Sequence, residues 1–171
     1  MLKDFNINKF KANKPPKDNS LKTLSEIKKL EKTPINKSFV KKYDNVKDNF
    51  YKIVEDDDIK KILDESLPYI EKIKKYFNRP RPKELAKNFG IKLDNIELKS
   101  MKTASYPSGH SLQAYLLADY LKQKYPEKSK ELNKMADNIS NSRIIARAHY
   151  DSDSKFGKTI GLEMSKYIKE Q

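Results

Sequence analysis

This chain carries only two histidines, and both sit among residues that could do chemistry. His110 ends the run Pro107-Ser108-Gly109-His110, and His149 lies four residues before Asp153 in Ser142-Arg143-Ile144-Ile145-Ala146-Arg147-Ala148-His149-Tyr150-Asp151-Ser152-Asp153. A third cluster, Lys74-Lys75-Tyr76-Phe77-Asn78-Arg79-Pro80-Arg81-Pro82, stands upstream. A carboxylate four residues from an imidazole can reach it within a helix or across a helix junction. It then fixes one ring nitrogen as a donor and leaves the other as a nucleophile. A second imidazole in the same pocket can protonate a leaving oxygen. Planar guanidinium forks and lysine ammonium groups suit an oxyanion such as phosphate, and Arg143, Arg81 and Lys74 are the candidates. Ser108 and Gly109 fall where a helix begins. There the unpaired N–H groups bind anions, a Ser hydroxyl caps or donates, and Gly lets backbone approach a ligand.

Each part alone has an ordinary explanation. Pro-Ser is a common helix start, a lone histidine is more often core or surface, and Arg147 reads as a solvated residue. Arg143 falls on the apolar stripe of its helix, which favours a buried role. Lys75 and Arg79 read as solvated.

The elements that must position these residues are helical. The chain has 171 residues, 36% of them hydrophobic and 36% charged, with four glycines and no tryptophan. No strand alternation or repeat is present, so the expected fold class is all-α, a compact bundle of about six to eight helices. Residues 1–20, with Pro15-Pro16, read as an extended arm, and 21–171 as a single domain. Helices are expected from Ser20 or Thr23 to Lys32, over 37–54, and from the Asp56-Asp57-Asp58 run to Phe77, where Pro68 threatens a kink. Residues 83–106 read as irregular, with a short helix near 83–89. Three more helices follow over 108–124, 127–149 and 153–169. Gly157 and Gly161, four apart, would let another helix approach closely.

The formal net charge of +13 favours acidic partners. With no cysteine, disulfides, thiolate catalysis and Cys-based zinc sites are excluded. No apolar run approaches the ~20 residues of a spanning helix, and the first residues lack a hydrophobic leader core. The expectation is a soluble, cytoplasmic protein.

At these residues the chain resembles the type 2 phosphatidic acid phosphatase superfamily, and most of all the class A bacterial non-specific acid phosphatases. The superfamily pattern is Lys-x6-Arg-Pro, then Pro-Ser-Gly-His, then Ser-Arg-x5-His-x3-Asp. Lys74, Arg81 and Pro82 meet the first part; Lys72, Arg79 and Pro80 meet it equally by spacing, though an aromatic followed by Arg-x-Arg-Pro favours the former. Pro107 to His110 meet the second, and Ser142, Arg143, His149 and Asp153 the third. Pro15 to Ser20, with Leu24 and Glu26, also resembles the opening of the soluble acid phosphatases. The resemblance implies an all-α fold and phosphomonoester hydrolysis with no metal or other cofactor. It implies His149 as nucleophile forming a phosphohistidine, Asp153 as its orienter and His110 as acid and then base. Lys74, Arg81, Ser108, Gly109 and Arg143 would hold the phosphate. The chain departs from that pattern in two places. Arg147-Ala148 stands where the family often has glycine, adding bulk and charge, and Asp151 could compete with Asp153 for His149.

The implied partner is a small-molecule phosphate ester. Alternatives are a lipid-phosphate or diphosphate phosphatase at an anionic membrane surface, a vanadium-dependent haloperoxidase, or a non-catalytic module binding anions or nucleic acid. The last would leave both histidines and Asp153 without a role.

Overall fold

Four helix starts are set by side chains placed one residue ahead of them. Ser20, Asn36, Asn45 and Ser108 accept the backbone N–H groups of Thr23, Phe39, Asp48 and Ser111 at 2.9–3.2 Å. They open α1 (Leu21–Glu31), α2 (Lys37–Tyr43), α3 (Val46–Tyr51) and α6 (Gly109–Lys124). These caps satisfy donors that the first helical turn leaves unpaired. The structure is a computed structural model that describes residues 1–169. The other helices are α4 (Asp58–Phe77), α5 (Pro82–Lys87), α7 (Ser129–Ile145) and α8 (Asp151–Ser165). Among the described residues the only β pairing is one antiparallel bridge, Leu2 with Ile168. The fold is therefore an all-α bundle, as expected.

Three expectations change. The helix expected over 37–54 is two helices, because Asn45 caps a new start just after Asp44 ends α2. α4 runs unbroken through Pro68. The segment expected as an extended arm instead packs. Residues Ile7–Ala12 form a 3-10 turn, and Phe5, Ile7 and Phe10 are buried in the main core. Phe5 meets Tyr69 and Tyr167 edge-on, with ring centroids 5.3 and 5.5 Å apart. Apolar side chains in a polar stretch decided this: burying one Phe or Ile is worth roughly 1.5–3 kcal/mol.

Helix α6 is the centre of the bundle and packs mainly on α8 and α7. Leu112, Ala114, Leu116, Leu117 and Leu121 are all buried. The close approach of α8 rests on its two glycines. A Cβ on Gly157 would lie 2.6 Å from the Ser108 carbonyl oxygen, and one on Gly161 2.4 Å from that of Leu112. Both neighbours are backbone, so neither can yield by changing rotamer. A second apolar cluster holds Ile27 and Leu30 of α1 against Leu85 and Ala86 of α5, Leu93 and Tyr150. It presses α1 against the start of α8.

Replacing Gly161 with alanine must push α6 and α8 apart. Gly161→Ala is expected to lower unfolding free energy by about 3 kcal/mol, at or above the usual overpacking range, read by urea denaturation.

Candidate active site

The ends of four helices and one loop converge on a single pocket. Lys74 sits in the last turn of α4, which stops at Asn78 in the left-handed conformation (φ 46°) with its N–H on the Lys74 carbonyl. A short polar residue tolerates that conformation. The turn folds Arg79-Pro80-Arg81 back beside Lys74. Gly109 starts α6 directly opposite: a Cβ there would lie 3.9 Å from the Lys74 ammonium nitrogen. α7 ends at Ile145 in a Schellman arrangement. The Arg147 N–H donates to Ile144 and the Ala148 N–H to the Arg143 carbonyl, at 2.9 and 3.0 Å. This turn lifts His149 out of helix and aims it at the start of α8, whose third residue is Asp153.

Asp153 is fully buried and fully used. Oδ2 accepts from His149 Nδ1 at 2.9 Å, from the Tyr150 N–H at 3.0 Å, and from the Ser105 hydroxyl. Oδ1 accepts from Arg79 Nη1 at 2.8 Å. Burial raises its carboxyl to about 6 against the lowering effect of Arg79 and the other donors. His149 is 2% exposed. Burial, then the charges of Arg81, Lys74, His110 and Arg143, push its imidazole well below the ordinary value, so the ring is neutral. With the Nδ1 proton on Asp153, Nε2 carries the lone pair, and it accepts from Arg81 Nη1 at 2.9 Å.

Further cations lie close enough to act on that ring. Arg81 also donates to the carbonyls of Ala148, Ser100 and Thr103 at 2.8–3.0 Å. Lys74 donates to the Thr103 hydroxyl at 2.9 Å. Burial, reinforced by its cationic neighbours, lowers Lys74 to about 8 and Arg81 to about 10. Arg143 is wholly buried. Its Nε donates to the Ser142 hydroxyl at 3.0 Å, and Nη1 lies 3.1 Å from an Asp44 carboxylate oxygen. Neither terminal nitrogen makes a hydrogen bond of good geometry, so the fork can still donate to an anion. His110 Nε2 lies 2.8 Å from the Asp44 carbonyl oxygen. Burial, with Arg143 nearby, brings this imidazole down to about 4. Ser108 caps α6 through its hydroxyl, and its N–H donates to the Asp153 carbonyl at 3.0 Å, tying the two helix starts together. Two surface clefts, of about 400 and 460 Å³, flank the pocket. One includes Lys74, Lys75, Lys102 and Thr103 in its wall, the other Asp44, Lys99, Ser100 and His110.

All eight residues singled out from the sequence thus lie around one pocket. Of the two arginines, Arg81 faces His149, whereas Arg79 lies behind Asp153; Lys72 is exposed. Arg79 is not solvated, as its place in a basic run suggested, but 1% exposed and stacked 3.7 Å above the Tyr150 ring. Arg147 corrects another expectation. It turns away from the pocket and donates to the carbonyls of Glu31 and Thr33 at 3.0 Å and of Asp94 at 3.3 Å. Asp151 does not compete for His149 either; it pairs with Lys29. Sequence reasoning missed Asp44, Thr103 and Ser105 in the pocket, and Glu26 behind it. Only Glu26 carried a signal, its place in the opening segment.

The geometry defines an all-α protein with a cation-rich pocket built on a buried His–Asp pair. Residues 63–169, well over half of the chain, match the PAP2 superfamily, and the chain belongs to that superfamily. Over 88 residues it is 38% identical to the non-specific acid phosphatase of Salmonella typhi and 36% identical to that of Salmonella typhimurium. The matched segment is 52% of this chain and 35% of each relative, so the chain matches about a third of the length of these curated relatives. No described helix is long and apolar enough to cross a membrane. Among the described residues, no three His, Cys, Asp or Glu side chains converge as a metal site.

Arg147 has φ 57°, at the position where a Schellman turn favours glycine. Its carbonyl contacts offset that strain. Arg147→Ala keeps the strain and loses the contacts. It is expected to cost about 1–2 kcal/mol in chemical denaturation.

Proposed function

We propose that this protein is a phosphatase that hydrolyses small phosphomonoesters through a phosphohistidine on His149. The observation that carries the reading is the line Asp153–His149–Arg81. A neutral imidazole is held by a buried carboxylate, its other nitrogen meets the buried Arg81, and the buried charges of Lys74 and Arg143 act on the same ring. Family membership and the identity to two enzymes named non-specific acid phosphatase support it.

Lys74, Arg81, Arg143 and the first N–H groups of α6 hold the phosphoryl oxygens. A phosphate draws the Arg81 fork onto its own oxygens and so releases the Nε2 lone pair. Nε2 attacks phosphorus, the bond to the leaving oxygen breaks, and His110 gives that oxygen a proton. Asp153 stabilises the imidazole as positive charge develops. In the second step His110 takes a proton from water, the water oxygen attacks phosphorus, and the P–N bond breaks to return neutral His149. Positive charge and positioning supply the catalysis, and phosphoryl transfer needs little else.

His110 alone is too weakly basic to hold a proton near neutrality. A bound phosphate raises its affinity for one through opposite charge. A phosphate monoester whose second ionisation is near pH 6 brings that proton with it. The substrate therefore loads its own acid, which suits a mildly acidic optimum.

His149→Ala is expected to lower kcat on p-nitrophenyl phosphate by at least ~10³-fold. Wild-type protein mixed with radiolabelled substrate and quenched is expected to carry an acid-labile, base-stable label. Turnover retained by His149→Ala would reject the reading. Asp153, raised to about 6, must be ionised to hold the Nδ1 proton. The carboxylate is lost as pH falls through that value, so kcat/KM is expected to fall below about pH 6. Calorimetry with inorganic phosphate is expected to show binding weakened roughly 10-fold or more by Lys74→Ala or Arg81→Ala, charge-assisted bonds being worth ~1.5–3 kcal/mol. Lys72→Ala is expected to stay within about twofold, as an exposed lysine contributes little.

A further inference from the structure

We propose that Glu26, on α1, is a positioning residue for the His149–Asp153 pair and acts on it through Arg79. This rests on the phosphatase reading above. Glu26 lies outside the segment that matches the superfamily and touches none of the residues assigned to the phosphate.

The connection is a buried chain of four charged or titratable groups. Glu26 is 5% exposed, Arg79 1%, Asp153 0% and His149 2%. Glu26 Oε2 lies 3.3 Å from Arg79 Nη2 and accepts from the Ser152 hydroxyl at 2.9 Å. Its Oε1 accepts from the Ser152 backbone N–H at 2.8 Å. Arg79 Nη1 donates to the Ser152 hydroxyl at 2.7 Å and to Asp153 Oδ1 at 2.8 Å. Asp153 passes the constraint to His149 through Oδ2. The guanidinium is caged sideways by the Tyr150 ring at 3.7 Å and the Tyr106 ring at 5.9 Å. One carboxylate thus caps the first turn of α8 from another helix and anchors the far end of the arginine that fixes Asp153. An isolated buried arginine is costly; here two carboxylates share it.

The charge balance gives Glu26 a signature that packing alone lacks. Asp153 faces Arg79, His149, the Ser105 hydroxyl and the Tyr150 N–H, while His149 also feels Arg81, Lys74, His110 and Arg143. Tyr106 and Tyr150 feel both Glu26 and Asp153, and Tyr150 also feels Asp18. Removing the Glu26 charge leaves Arg79 to Asp153 alone. The excess positive charge opposes protonation of both Asp153 and His149. Both then titrate at lower pH.

The test compares Glu26→Gln and Glu26→Asp with wild-type protein. Glu26→Gln is expected to lower kcat on p-nitrophenyl phosphate by about 10-fold, with KM within twofold. The acid limb of kcat/KM is expected to move to lower pH. Glu26→Asp, which keeps the charge, is expected to return the limb to the wild-type position. The chain has only two histidines, so carbon-13 labelling at histidine Cε1 yields two signals. The signal of His149 is expected to titrate at lower pH in Glu26→Gln while that of His110 stays put, a readout needing no activity. A lowered thermal midpoint with an unmoved limb and unmoved His149 titration would overturn the proposal, leaving Glu26 merely structural. If Glu26→Gln does not fold, Ser152→Ala takes its place, because it removes the bridging hydroxyl and keeps both charges. A kcat reduced a few-fold at constant KM supports the proposal, and a wild-type kcat overturns it. A wild-type protein that neither hydrolyses aryl phosphate nor binds inorganic phosphate would instead reject the phosphatase reading, with the titration still deciding whether Glu26 reaches His149.

Discussion

The carboxylate of Asp153 is buried among four donors, and the surrounding structure exists largely to keep it there. Ser105 reaches it from the irregular loop, Arg79 from the turn after α4, His149 from the junction before α8, and the Tyr150 N–H from the α8 start. An unpaired buried carboxylate would cost several kcal/mol. Those segments are therefore held together by the penalty of leaving any one of them out. The same arrangement determines which imidazole nitrogen is free. Folding and chemistry meet at one atom pair, Asp153 Oδ2 and His149 Nδ1.

Around that pair the protein gathers positive charge that it does not fully neutralise. Burial lowers Lys74, Arg81 and both imidazoles at once, because each cation would rather have water or an anion. Their present acceptors are mostly neutral carbonyls and hydroxyls, apart from the Asp44 carboxylate near Arg143. A phosphate replaces weak acceptors with charged ones, and charge-assisted bonds are about twice as strong. On the phosphatase reading, selectivity for an oxyanion would come from the arrangement of the whole pocket and not from any single residue.

Much of this was legible in the sequence because the informative features were local. Ser20 and Ser108 announce helix starts by type, and the residues at His110, His149 and Asp153 keep fixed spacings that a helix end or start turns into geometry. Gly157 and Gly161 signalled close approach by their spacing. What was hidden depended on chain reversals. Nothing in Tyr43-Asp44-Asn45 says that the acid meets an arginine 99 positions later in sequence. The pairing of Arg79 with Asp153, and of Arg147 with the end of α1, follows from left-handed turns at Asn78 and Arg147, the first common for asparagine and the second unusual for arginine. The packed N-terminal segment was missed because its prolines and polar residues outweighed the four apolar side chains that dock, Met1, Phe5, Ile7 and Phe10.

Helix α1 is fastened to the site twice, by Glu26 near its middle and by Arg147 gripping the carbonyls at its end. Both fastenings land on the short stretch that carries His149. Local opening of either piece must release the other, so the two form one cooperative unit despite lying more than a hundred residues apart in sequence. Amide hydrogens buried in α1 and those of the turn before His149 would then exchange with solvent at a common rate. That rate would slow together when an oxyanion occupies the pocket, making the amino-terminal helix a remote gauge of ligand occupancy.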